Sequence, residues 1–319
     1  MGSIEEIEPG DVVLMRSRTA LSAAVRLLDG AEVDFAALAL EDGMVGEVVG
    51  VGPRRFPLAK AVAAHEDTII LRAVRPVDPT PVLHAAKGYI DAAAPFVQQQ
   101  LVLVALLTLT RPLPPAPSRR RLVRAVLDHT TATLHSVVAH GRQLMLCPEF
   151  VAHCHREAGE TYRLHADPAR RRATGSTLLD WALAQPALSA AGSVPVAAEP
   201  TDPATAHREA ATTLAPLISH YLIESGLTTG SVGVSTAAAG EGMVTDEDLL
   251  RSMVSFGTAL APATGRQEEG GDASRAALGM IHTLAADPHF VTPGDIHRNS
   301  ALREVTRIQG PTERSRRSP

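Results

Sequence analysis

Aromatic side chains are scarce in this 319-residue sequence, at 3% of the total, so its core has to be built from alanine, valine and leucine. Lysine is rarer still: Lys60 and Lys87 are the only two among 30 basic residues, a bias toward arginine from which no function is read. Neither charge sign is in large excess. A net charge of −5 gives no overall field that would draw nucleic acid, so no nucleic-acid partner is expected. Cysteine occurs twice, as Cys147 and Cys154, which excludes a disulfide framework and does not fit a C-x-x-C motif. On a helix, positions seven apart lie roughly 10 Å apart, too far to bridge, so both are expected as free thiols in a reducing compartment. Long apolar runs are missing too. The stretch 92–109 is interrupted by three glutamines, and Leu101–Leu109 falls far short of the roughly 20 residues a membrane span needs. It predicts a buried core helix and no span. The start, "MGSIEEIEPGDVVL", is acidic, lacks the apolar stretch of a signal peptide, and has Glu6 where a myristoylation pattern needs Ser or Thr. A cytoplasmic location is expected.

What is present alternates short strands with helices. "GDVVLMRS" reads as a strand after a Pro9–Gly10 turn, and "TALSAAVRLLDG" as a helix stopped at Gly30. "DFAALALEDGMVGEVVGVG" reads as a hairpin around Asp42–Gly43, and "DTIILRAV" as a further strand. Residues 80–109 are largely helical, with Pro95 expected to break or kink them. "RPLPPAPSRRR" is a loop before another helix, and a helix also begins near Cys147. Beyond residue 167 small and Pro-rich segments appear. Residues 189–206, 228–242 and 264–274 are expected to be flexible, and 207–224 to form a helix broken by Pro216.

The chemistry concentrates in "LMLCPEFVAHCHREAG", residues 144–159. A cysteine at a helix N-terminus gains thiolate character from unpaired N–H groups and the helix dipole. Pro148 and Glu149 both suit the first helical turn. A buried structural thiol fits the same residues, because free cysteine is among the most buried residue types. Both readings stand on the segment alone. His153, Cys154, His155 and His165 do not match a zinc-binding spacing, so no metal is expected. "GSVGVSTAAAGEG" lacks the lysine and helix of a phosphate loop, and no cofactor is expected. The basic runs Arg119–Arg121 and Arg170–Arg172 are short and read as solvated helix ends.

The order of these pieces carries a resemblance. "PGDVVL", a helix, "AALALEDGMVGEVVGVGPRRFPL", "TIILR", a helical block and "MLCPEFVAHCHREAG" together resemble the circularly permuted NlpC-type papain-like cysteine hydrolases, relatives of the lecithin:retinol acyltransferase group. The closing "FVTPGDIHRNSALREV" is similar to a segment that ends such domains. The resemblance covers 9–165, and 285–308 more loosely. It implies an α+β fold: a permuted papain-like domain whose antiparallel sheet packs on helices, with a helical and loop-rich insertion. The implied division is a core at 1–167, an insertion at 168–284, a closing segment at 285–308 and a disordered tail at 309–319.

Carried over by position, the resemblance makes Cys147 the nucleophile, Glu149 the Glu of the Cys-Ser-Glu pattern, and Glu47 the residue that orients the catalytic histidine. The histidine position itself holds Phe35, and Pro148 stands where the family has serine. Phenylalanine accepts no proton, so the Cys–His pair lacks its base. His153 and His155 lie on other sides of the cysteine's own helix, and His65 reads as solvent-facing at a strand's start. Of His135 and His140, which precede Cys147, His140 is the candidate replacement if it folds back. Two functions follow. One is an inactive relative whose cleft binds a protein partner or an apolar ligand, with the Phe35 ring pointing at the Cys147 sulfur. The other is an active amidase, peptidase or acyltransferase that attacks a small-molecule, peptide or acyl substrate.

Overall fold

The run Val12–Met15 is four apolar residues without a polar break, the pattern of a strand covered on both faces. In the computed structural model it forms the middle of strand β1 (Val12–Arg16), and all four side chains are wholly buried. The structure describes residues 3–50, 52–75, 77–92, 96–97, 100–113, 116–164, 176–185, 202–226, 244–266, 272–287 and 290–310. They divide into two compact units. The first is drawn from Met1–Gln98, Met145–Arg171 and Pro288–Pro319, the second from Gln99–Leu144 and Arg172–Asp287. This differs from the division expected from sequence, because 99–144, assigned there to the core, falls in the second unit.

The first unit holds β1, helix α1 (Ala20–Asp29), β2 (Phe35–Ala39), β3 (Met44–Val49), β4 (Gly52–Pro57), α2 (Leu58–Ala64), β5 (Asp67–Ala73), α3 (Thr80–Asp91) and the two-residue β6 (Phe96–Val97). Thr19 caps α1 by accepting the Ser22 N–H, and Gly30 ends it in the left-handed region at φ 60°. Asp42 and Gly43 both have positive φ, 58° and 64°, the two-residue turn that suits the twist of a hairpin. β1 pairs antiparallel with β2 (Leu14 opposite Ala36) and with β5 (Leu14 opposite Ile69). Helix α3 ends at Asp91; Pro95, expected to break it, lies outside the described residues.

Alternation along the strands gives the sheet two apolar faces. Val12, Leu14, Ala36, Leu38, Ile69 and Leu71 face one core, and Val13, Met15, Ala37, Ala39, Val45 and Ile70 the other. Leu58, Ala61 and Val62 of α2 cover the second face.

The second unit is helical. It contains α4 (Gln100–Thr110), α5 (Arg119–Ala139), the short strand β7 (Gln143–Leu144), and four further helices defined below. Leu101–Leu109 of α4 are all buried, as the interrupted apolar run predicts. No described helix is long and apolar enough to cross a membrane.

Helix α6 (Cys147–Glu157) returns the chain to the first unit, where Phe150, Val151 and Cys154 pack on the Ala36–Leu38 face. The second unit resumes with α7 (Leu178–Leu183), α8 (Pro203–Glu224), α9 (Asp246–Ala263) and α10 (Ala273–Ala286). Asp202 caps α8, so 203–206 are helical rather than loop; 189–201 lie outside the described residues, as do 228–242 and 267–271. Pro216 does not break α8. It is exposed, so the carbonyl it leaves without a donor faces water, while Leu214, Ile218, Tyr221 and Leu222 stay buried. Burial of those four, at roughly 1.5–3 kcal/mol each, outweighs a proline penalty of about 3 kcal/mol. Gly257 of α9 lies against α10 so closely that a Cβ there would meet the Ala277 carbonyl oxygen at 2.2 Å.

The closing segment belongs to the first unit. Helix α11 (Pro293–His297) carries a capping box between Thr292 and Asp295, and β8 (Leu302–Gln309) pairs antiparallel with β5. The full strand order is β4-β3-β2-β1-β5-β8, an antiparallel sheet in an α+β unit. Gln309, expected in a tail, is the last residue of β8; 311–319 lie outside the described residues.

Candidate functional site

Helix α6 begins at the cysteine for local reasons. The residue before it, Leu146, is extended, and its N–H donates to the Glu149 carboxylate at 2.8 Å. Pro148 sits in the first turn, where its missing N–H is not needed. Glu149, matched by resemblance to the family's motif glutamate, thus acts as the helix cap. Both cysteines are free thiols, and both are buried.

Cys147 is 1% exposed and stands at the head of the apolar stripe Cys147, Phe150, Val151 and Cys154. Burial drives its thiol well above the ordinary range. Hydrogen bonding with the Ala36 backbone pulls the other way, and the carboxylates of Asp34 and Glu47 push it up further. The thiolate-favouring features are present, since the sulfur lies at a helix start beside a backbone donor. Desolvation and like charge outweigh them, which favours the neutral thiol.

Neither carboxylate is free to act as a base. Asp34 is wholly buried in an ion pair with Arg26 (2.6 Å) and also accepts the Ser17 N–H at 2.8 Å. Glu47 accepts from Arg54 at 2.7 Å across the β3–β4 ladder, and Arg54 lies 4.6 Å over the Phe56 ring. Glu47 therefore holds an arginine, and among the described residues no imidazole is bonded to it.

Phe35 requires a correction. Its ring packs with the second core, beside Val13, Met15 and Ala37, and lies 6.0 Å from the His65 ring. Helix α6 covers the opposite face through Ala36 and Leu38, so Phe35 does not point at the Cys147 sulfur. His140 ends α5 in the second unit, exposed, with Nδ1 bonded to the Ser136 carbonyl at 2.8 Å. Of the four candidates, the structure brings together Cys147 and Glu47.

Asp34 is the residue that sequence reasoning missed. The signal for it lay in the strand period, since Asp34, Ala36 and Leu38 share one face, and that face carries the cysteine helix. His155 is buried on α6, its Nδ1 bonded to the Tyr162 carbonyl at 3.1 Å, and burial lowers its pKa to about 4. Among the described residues no group of three or more His, Cys, Asp or Glu is placed to hold a metal ion.

The first unit also carries an open groove of about 180 Å³ between α3 and the β2–β3 hairpin. Leu40, Leu83 and Ile90 form its apolar wall, with Arg55, Lys87 and Glu41 around them. Comparison with family models, curated proteins and solved structures finds no match for this chain.

Proposed function

We propose that the first unit is a non-catalytic relative of the permuted papain-like cysteine hydrolases, a module that binds rather than cleaves. One observation carries this reading: the Cys147 sulfur is buried among a backbone group and two arginine-paired carboxylates, which favours the neutral thiol. A hydrolase of this type needs a thiolate and a proton acceptor. The groove beside α3, partly apolar with a charged rim, has the mixed character of a binding site for an apolar ligand or a partner's side chain. The competing reading, an active amidase or acyltransferase, draws on the placement of Cys147 at a helix start beside the Ala36 backbone.

Thiol alkylation separates the two. Iodoacetamide titrated from pH 6 to 9 should leave both Cys147 and Cys154 unlabelled in the folded protein and label both after unfolding. Rapid native labelling of Cys147 below the range of an ordinary thiol, about 8.5, with Cys154 protected, would establish an activated nucleophile instead.

A further inference from the structure

The second unit contains a pocket of about 260 Å³ where the first turn of α5 meets α7. Arg111, Arg119 and Arg120 line it together with Trp181, Thr177 and Leu249, and no carboxylate is among its described lining residues. In a chain of net charge −5, this is a concentrated positive site. Arg120 pairs with Asp246 at the rim, and that pair is half exposed. Arg119 has one long bond, to the Leu113 carbonyl at 3.5 Å, and no carboxylate partner among the described residues. At the start of the same helix Glu224 of α8 accepts from both the N–H and the hydroxyl of the N-cap residue Ser118, so that carboxylate is already engaged by the backbone and the hydroxyl.

The arginines are also misplaced for the helix they begin. The first turn of α5 has no acidic residue, and its basic run opposes the positive end of the helix dipole. Glu224 at Ser118 and Asp246 at Arg120 offset part of that charge from other helices, and Arg119 is left with no such partner among the described residues. Arginine supplies the planar fork that recognises carboxylate or phosphate oxygens, and a half-buried indole supplies a flat apolar wall. A volume near the lower end for ligand pockets suits a compact molecule.

We propose that this pocket binds a compact ligand with a carboxylate or phosphate head, held by Arg119 and Arg120, and a flat apolar body set against Trp181. The site is independent of the reading given for the Cys147 unit.

Trp181 is the only tryptophan in the chain and reports on the pocket directly. Full-length protein titrated with phenyl phosphate and, separately, with benzoate should show a saturable change in tryptophan fluorescence, matched by calorimetric heat. The arm with the tighter binding identifies the head group. Phenol should bind at least about tenfold more weakly than the better anion, the discrimination expected of one charge-assisted contact. Arg119→Gln should weaken binding while leaving the melting temperature equal or higher, and Arg120→Gln, which also gives up the exposed pair with Asp246, should weaken it with at most a small fall in melting temperature. Absence of saturable binding by both anions, equal binding of phenol, or unchanged affinity in both folded variants would overturn the proposal.

Discussion

Phe35 and Asp34 are neighbours in sequence, and the site turns on which of them faces α6. A strand's side chains alternate with period two, so a displacement of one residue exchanges the faces. Introducing Phe35→His therefore places an imidazole beside His65 in the second core, away from the sulfur. The expected outcome is an unchanged rate of Cys147 alkylation and a stability loss of about 1–2 kcal/mol from burying a polar ring. Faster alkylation in the folded variant would show that the two residues are neighbours after all.

Asp29 offers a second test at this scale. Its carboxylate is buried, accepts from the Thr292 hydroxyl at 2.8 Å and the Gly294 N–H at 2.7 Å, and lies 3.6 Å from Arg298. Burial raises its pKa to about 6, against the hydrogen bonds from Thr292 and Gly294. The folded state thus holds the proton more tightly than the unfolded chain. Its stabilising effect is complete below about pH 3.8 and is lost as pH rises through about 6, on the order of 3 kcal/mol in all. Asp29→Asn should flatten that part of the stability–pH curve measured by denaturant unfolding. An unaltered slope between pH 4 and 6 would assign it to other groups.

Among the elements, the helix pair α9 and α10 makes a strict demand on one residue. A methyl at Gly257 would overlap the Ala277 carbonyl oxygen and carbon, at 2.2 and 2.6 Å, and backbone cannot swing aside as a long side chain can. Gly257→Ala should therefore destabilise the second unit by roughly 1–3 kcal/mol, despite alanine's better helix propensity. Hydrogen exchange should show the loss in 246–286; a stabilised variant would mean that the helices have room to separate. Elements of this kind were partly legible beforehand. "GDVVLMRS" predicted a strand, Asp42–Gly43 a hairpin turn, and Cys147–Pro148–Glu149 a helix start, because each signal lies within a few adjacent residues. Pro216 was misleading because its local penalty is offset by packing, which the local sequence does not display. The pair Asp29–Thr292 was invisible for a related reason, since its partners are joined by the fold and separated by most of the chain.

For the molecule as a whole, the first unit depends on a segment that arrives last. β8 covers the outer edge of β5, and α11 supplies the donors that surround the Asp29 carboxylate. Removing 290–319 would leave an unpaired strand edge and a buried charge without its hydrogen bonds, each a strong penalty. The truncated chain should lose the cooperative unfolding transition of the first unit and aggregate, as followed by light scattering. A soluble chain with the native melting transition would show that the closing segment is dispensable.

That β8 pairs with β5 across more than two hundred intervening residues also sets a schedule. On a ribosome adding about 5–20 residues per second, the edge of β5 waits roughly 10–45 s for its neighbour. During that interval Ile69, Ile70 and Leu71 belong to an incomplete sheet. Slower translation would lengthen the time for which that edge stays unpaired.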